Sequence, residues 1–175
     1  MPSLPPKAGC RLNWDPEKAD PAVGSFMPGL RWATEQTNGP ILELGAGFYS
    51  TPFLHRLSEA GRMVVSYEYD PEWFQQIWSR FEGPHHHVIH DFADVPPGSW
   101  SVVLVDCEGW SRHPFFNALR DHADIFVIHD TQDPWIPELD FESFEYRFDF
   151  GDNPRTTLLS MIWDVRQHGS QPPLP

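Results

Sequence analysis

Asp106, His129 and Asp130 are the residues of this chain best suited to make or break bonds. Asp106 closes the apolar run Trp100–Val105, and His129-Asp130 close the run Ile125–Ile128. A histidine's unperturbed pKa suits it to take a proton from a hydroxyl or an amine near neutrality. Two neighbouring carboxylates could hold a divalent cation through oxygen. The plainer alternatives are a histidine that only hydrogen-bonds backbone, and acids that only solvate strand ends. A second set of residues binds rather than reacts. Glu43-Leu44-Gly45-Ala46-Gly47 carries an apolar run into a glycine turn, and Ser50-Thr51-Pro52 then opens a helix. Glycines let a backbone bend sharply and approach a ligand, and the free N–H groups of a helix start favour a negative group. Downstream, Val64–Asp70 ends in Glu68-Tyr69-Asp70, where an acid could grip ribose hydroxyls or simply face solvent. Asp91-Phe92 follows another short apolar run; an acid there is also a common cap or turn residue.

Other residues draw attention and then lose it. His85, His86, His87 and His90 suggest a metal, but neighbours on a strand point to opposite faces and converge poorly on one ion. Arg112, in the polar stretch Asp106–His113, could fix an anionic or sugar-like group, or pair with one of many carboxylates. Trp73, Trp78 and Phe81 read as core-facing residues at helical spacing.

The elements that must position these residues alternate. The spacing of Val23, Phe26, Met27, Leu30 and Ala33 predicts a helix from about Pro21 to Gln36, stopped by Asn38-Gly39-Pro40. A strand is expected at 41–44, then a helix at 52–60 capped by Ser50 or Thr51 and stopped by Gly61. Next come a strand at 63–68 and a helix opened by Asp70-Pro71-Glu72. Strands at 87–90, 100–105 and 125–128 follow, with a helix at 112–122 between the last two. Residues 144–150 and 157–163 read as a hairpin around Gly151-Asp152-Asn153-Pro154. Alternating strands and helices imply a parallel sheet covered on both faces. Its carboxyl edge, where such sheets bind ligands, would carry Glu43, Glu68, Asp91, Asp106 and Asp130.

Composition bounds the function. The 175 residues suit one domain with a full core, and 40% apolar with 14% aromatic content is ordinary globular material. A net charge of −13 argues against nucleic-acid or anionic-membrane partners, which demand cationic patches. Cys10 and Cys107 form no disulfide framework, and the start of the chain has no long apolar stretch. The expectation is a cytoplasmic, soluble protein with an irregular proline-bearing arm at 1–19, one domain at 20–168 and a frayed tail at 169–175.

The acid-tipped strands followed by a hairpin resemble the class I S-adenosylmethionine-dependent methyltransferases over residues 20–165. The resemblance implies an α/β fold, a three-layer αβα sandwich. Its mostly parallel seven-stranded Rossmann-like sheet would end in a C-terminal antiparallel hairpin. Glu43-Leu44-Gly45-Ala46-Gly47 is similar to the family's first motif, whose glycines pass under the methionine part of the cofactor; Ser50 and Thr51 would bond its carboxylate. Tyr49 stands where the looser pattern has a third small residue. The resemblance puts Glu68, beside Tyr69, on the ribose and Asp91-Phe92 on the adenine. It sets Asp106, His129 and Asp130 around the transferring methyl group. It implies S-adenosylmethionine as cofactor and an oxygen or nitrogen of a small-molecule or sugar-like acceptor, read by the arm and by the loops at 107–113 and 131–141. Trp14, Trp135 and Phe141 would be acceptor walls. Mg²⁺ at Asp106 and Asp130, with Glu108 nearby, is a further option that lacks an identifiable third ligand. Two rival readings are a non-catalytic binding module on the same fold and a nicotinamide-dependent oxidoreductase. The latter's Gly-x-Gly-x-x-Gly is left incomplete at Ser50.

Overall fold

In the computed structural model, residues 24–132, 139–151 and 154–166 are described; the arm, the tail, Trp14 and Trp135 lie outside them. Seven strands form one sheet: β1 (Ile41–Leu44), β2 (Val64–Tyr67), β3 (His86–Ile89), β4 (Trp100–Val105), β5 (Ala123–His129), β6 (Tyr146–Phe150) and β7 (Thr156–Ser160). Their spatial order is β3-β2-β1-β4-β5-β7-β6. The first five run parallel, and β7 lies antiparallel between β5 and β6. The order reverses between β1 and β4. A crevice opens at the carboxyl ends of such a pair, because the chain leaves the two strands in opposite directions across the sheet.

Strand alternation divides the core. Leu42, Leu44, Val103, Val105, Phe126 and Ile128 pack with Phe115, Phe116 and Leu119 of helix α4 (Gly109–Leu119). Ile41, Val102, Leu104, Ile125 and Val127 pack with Leu30 and Ala33 of α1 (Met27–Gln36) and Leu54 of α2 (Ser50–Glu59). Helix α3 (Pro71–Phe81) sets Trp73 and Ile77 against Val88 of β3. Three layers result, as expected.

Several boundaries differ from the sequence reading. Helix α1 starts at Met27, with Pro28 in its first turn, where a missing N–H costs nothing. Helix α2 starts at Ser50 with Tyr49 at its N-cap and no side-chain cap, so neither Ser50 nor Thr51 caps it. Helix α4 starts three residues before Arg112, its entry tied by Ser111, whose N–H and hydroxyl both donate to the Glu108 carbonyl. It ends at Leu119, and a 3₁₀ turn covers Arg120–His122. Strand β3 is shifted one residue toward the N-terminus, which turns His86 into the core. Strand β6 starts only at Tyr146. Strand β7 stops at Ser160, whose hydroxyl accepts from the N–H groups of Ile162 and Trp163 and turns the chain off the sheet. Trp78, read as core-facing, is 47% exposed on the outer side of α3.

Candidate functional site

The β1–α2 turn lies directly on the end of β4. Gly45 has φ +94°, and a Cβ there would fall 2.5 Å from the Asp106 carbonyl oxygen and 2.8 Å from the Cys107 nitrogen. Only glycine fits that position. Gly47 is different: a Cβ there would meet nothing nearer than the Ser50 hydroxyl at 3.6 Å, so the fold itself leaves this position open.

A cavity of about 240 Å³ opens beside this turn at the carboxyl edge. Gly45 and Ala46 form its floor, Glu68, Tyr69 and Asp70 line the β2 side, and Asp106, Cys107 and Glu108 line the β4 side. Trp73 and Gln76 of α3 close it. Asp70 caps α3 by accepting from the Trp73 N–H at 2.8 Å, and the Trp73 indole donates to the Ala46 carbonyl at 2.7 Å. One acid thus fixes the helix that fixes the turn. Glu68 accepts from the Asp70 N–H at 2.8 Å, and its burial pushes its pKa up to about 7. Burial, with the Glu108 carboxylate bonded to the Tyr69 hydroxyl, holds Tyr69 well above the usual phenol range. Cys107 is a buried free thiol pushed up to about 11 by desolvation, so it stays neutral.

Five expected ligands, Glu43, Ser50, Thr51, Asp91 and Phe92, lie outside the cavity lining. Glu43 is fully buried within β1 and accepts from the hydroxyls of Thr51, at 3.0 Å, and Ser66. The Thr51 hydroxyl also accepts from the Gly47 N–H at 2.9 Å. Ser50 is buried beside Glu43 with its hydroxyl outside hydrogen-bond geometry. Glu43 and Thr51 therefore brace the glycine turn from beneath, and the cavity lining does not include them or Ser50. Asp91, exposed, accepts from the Ala93 N–H and caps a short 3₁₀ turn, Phe92–Asp94. Phe92 stacks on Phe115, centroids 4.0 Å apart. Neither lines the cavity, and Phe141, expected as an acceptor wall, packs against Phe116 and Arg147.

The reactive candidates do converge. His129 is 3% exposed; its Nδ1 lies 3.0 Å from Asp106 Oδ1, and its Nε2 lies 3.6 Å from Asp130 Oδ1. Asp130 reaches back through a left-handed backbone, φ 56°, the one positive-φ residue other than glycine among the described residues. Burial pushes the Asp106 carboxyl up, while His129 and Arg112 pull it back. Of the two readings of Arg112, docking group or partner of carboxylates, its contacts fit the second: it faces Asp106 and Asp130 and braces the backbone. It is buried, donating from Nε to the Cys107 carbonyl and from Nη1 to the His129 carbonyl, both at 2.6 Å.

The nitrogen and oxygen donors of Asp106, His129 and Asp130 all lie within 4.8 Å of one another, as a metal site requires. They are engaged already. Asp106 holds His129, and Arg112 Nη2 stands 3.8 Å from a carboxylate oxygen of each aspartate. Mg²⁺, which prefers an oxygen shell, would have to displace that guanidinium, so the arrangement fits a charge-balanced cluster better than a Mg²⁺ cage.

Sequence reasoning missed Ser25, whose hydroxyl lies 3.0 Å from His129 Nε2 across 104 residues of chain. No local pattern announces such a contact; only the fold makes it.

A glycine turn against β4, an acid beyond β2 and a strand order of 3-2-1-4-5-7-6 occur together in one architecture. The chain has the class I S-adenosylmethionine-dependent methyltransferase fold. Among solved structures, an O-methyltransferase from Bacillus cereus in complex with SAH superposes with a TM-score of 0.60 at 15% identity, over 82% of each chain. The N-terminal domain of human METTL16, also in complex with SAH, gives 0.55 at 10% identity, over 79% of this chain and 70% of that one. Monomeric WbdD gives 0.56 at 12% identity over 82% of this chain, which spans only 42% of the WbdD chain. No family model matches the sequence, and no curated protein matches it. Among the described residues, no helix of this chain is long and apolar enough to cross a membrane.

Proposed function

We propose that this chain binds S-adenosylmethionine and transfers its methyl group to an oxygen or nitrogen of a small-molecule or sugar-like acceptor. The supporting observation is the cavity itself, set at the reversal point of the sheet between the Gly45–Ala46 turn, Glu68 and Asp106. Gly47, which the fold does not require, leaves space for a ligand crossing the turn. Glu68 is the candidate ribose acceptor.

The cofactor would supply an electrophilic methyl carbon; the chain supplies placement and proton removal. His129 stands outside the cavity lining and is tied to it by Asp106, which belongs to both the cavity and the cluster. Asp106 fixes the ring and balances the positive imidazolium that forms when His129 takes the acceptor's proton. Arg112 holds the backbone at Cys107 and His129, so the base and its partner keep their spacing. Trp73, Tyr69 and Glu108 line the cavity and would close around the cofactor.

Calorimetric titration with S-adenosylhomocysteine, run beside NAD, tests this reading. Micromolar binding of the homocysteine nucleoside alone is expected, and Glu68→Ala should weaken it by about 1–3 kcal/mol. Binding of NAD alone would transfer the site to the oxidoreductase reading. Binding of neither would leave an interaction scaffold.

A further inference from the structure

Between His55 and Gly47 runs a continuous row of polar contacts whose first three bonds can each point either way. His55 Nδ1 lies 3.1 Å from His86 Nδ1, His86 Nε2 lies 2.8 Å from the Ser66 hydroxyl, and that hydroxyl bonds Glu43 Oε2. Thr51 closes the row: its hydroxyl donates to Glu43 at 3.0 Å and accepts from the Gly47 N–H at 2.9 Å. The side chains of His86, Ser66, Glu43 and Thr51 are fully buried, whereas His55 is only half-buried, so solvent meets these side chains at His55.

Two proton arrangements satisfy every bond while both imidazoles stay neutral. With Glu43 ionised, Ser66 donates to it, His86 donates to Ser66 from Nε2, and His55 donates to the bare His86 Nδ1. With Glu43 protonated, the direction reverses: Glu43 donates to Ser66, Ser66 to His86 Nε2, and His86 Nδ1 to His55. The surroundings keep His86 neutral. Burial pushes it down to about 4, His55 of α2 and His87 of β3 repel its charge, and Phe81 of α3 offers only a ring. Glu82, the acid after α3, faces His87 instead, at 3.2 Å. Burial pushes Glu43 up to about 7 against the pull of the hydroxyls of Ser66 and Thr51, with Asp106 beyond β4 adding negative charge; Glu68 beyond β2 feels Glu43 in turn.

We propose that this row is a two-way proton relay, which passes a proton between solvent at His55 and the buried Glu43 and reports pH to the glycine turn through Thr51. A proton arriving from solvent binds His55 Nε2. The His55 Nδ1 proton moves to His86 Nδ1, the His86 Nε2 proton to Ser66, and the Ser66 proton to Glu43. One proton enters, three shift, and Glu43 alone changes charge. While Glu43 is ionised, Thr51 donates to a full negative charge, which makes its oxygen a better acceptor for the Gly47 N–H. Protonation of Glu43 weakens that hold on the turn, which also carries Gly45 and Ala46 of the cavity floor. The relay works in the ligand-free chain and needs no cofactor.

Nitrogen-15 and proton spectra of the ligand-free full chain, recorded between pH 5 and pH 8, test it. His86 is expected to stay neutral and to move its ring proton from Nδ1 at the acid end to Nε2 at the alkaline end, with a midpoint near 7. The Gly47 amide resonance should move with the same midpoint. Ser66→Ala cuts the row in the middle and should leave His86 in one tautomer throughout, while the Gly47 amide still follows Glu43. A parent His86 that keeps one tautomer, or that turns into imidazolium over this range, overturns the proposal without any variant. A tautomer exchange that persists in Ser66→Ala would mean that His86 and Glu43 titrate independently, and it overturns the relay as well. A Gly47 amide that stays still while His86 exchanges overturns the link to the turn.

Discussion

Gly45 and Gly47 are two residues apart and have different reasons to be glycine. Gly45 answers to the protein: positive φ and a Cβ overlapping the backbone of Asp106 and Cys107 make any side chain costly. Gly45→Ala should destabilise the fold by at least about 1–2 kcal/mol, the usual penalty of a left-handed backbone, before the overlap is added. Gly47 is under no such demand from the fold, and the proposed function gives it to the ligand. Gly47→Val should leave denaturant unfolding near the parent's while abolishing detectable S-adenosylhomocysteine binding. Equal binding by the parent and the Gly47 variant would mean that no ligand passes over the turn. The sequence motif alone treats the two glycines as equivalent; the distances separate them. The same distances explain why Ser50 and Thr51 mislead as ligands. A hydroxyl at a helix start is ordinarily a cap or a ligand, but here Glu43 sits in the strand beneath and draws Thr51 inward.

At the scale of elements, Asp70 shows how one capping residue reaches the site. It bonds the Trp73 N–H, and Trp73 in turn bonds the Ala46 carbonyl across the cavity floor. Asp70→Ala should cost about 1 kcal/mol of stability through the lost cap. It should also loosen cofactor binding, because the wall made by Trp73 and Gln76 loses its anchor. Asp70→Ser, which keeps a capping oxygen, should recover the stability; if it does not, the carboxylate matters as a charge rather than as a cap. This helix was legible in advance because Asp-Pro-Glu followed by a 3.6-residue apolar period is a local signal. The parallel strands were legible for the same reason. The miss at Trp78 has an equally local cause: a tryptophan at helical spacing reads as apolar, yet α3 lies at the sheet edge and buries only a narrow face, Trp73 and Ile77. Asp91 and Phe92 were misplaced as cavity residues because an acid after a strand looks the same whether it faces a ligand or caps a turn. His129, Asp106 and Asp130 were legible as strand ends. Their mutual geometry, with Ser25 and Arg112, depends on contacts between segments far apart in sequence, which no spacing rule encodes.

Across the whole molecule, a buried polar row ties helix α2 and strand β3 to the glycine turn after β1. His55 on α2 meets His86 on β3, Nδ1 to Nδ1, at 3.1 Å; His86 Nε2 lies 2.8 Å from the Ser66 hydroxyl on β2. Ser66 bonds Glu43 on β1, and Glu43 bonds Thr51, which holds the Gly47 N–H. His86, Ser66, Glu43 and Thr51 are all buried, so ionisation here acts on the fold as a unit. Burial pushes Glu43 up to about 7 from 4.5, although the hydroxyls around it pull the other way. A carboxyl raised in the fold is favoured there while protonated. Its contribution is complete below pH 4.5 and is lost as pH rises through about 7. Burial pushes His86 down to about 4 from 6.5, with His55 and His87 adding repulsion, and this works in the opposite direction. Its contribution is present above pH 6.5 and is lost as pH falls toward 4. Stability should therefore slope down on both sides of a weakly acidic optimum, and the alkaline slope should belong to Glu43 together with Glu68, which is raised to about 7 as well. Glu43→Gln removes one of the two carboxyls while keeping an oxygen for Thr51. Between pH 5 and pH 8 the variant should lose less stability than the parent, by on the order of 1–3 kcal/mol, in urea unfolding at each pH. Glu68→Gln should remove the remaining slope without touching the row beneath the turn. Parallel pH curves for the parent and Glu43→Gln would mean that Glu43 titrates alike in the folded and unfolded chains, and the buried row would then be only a packing device.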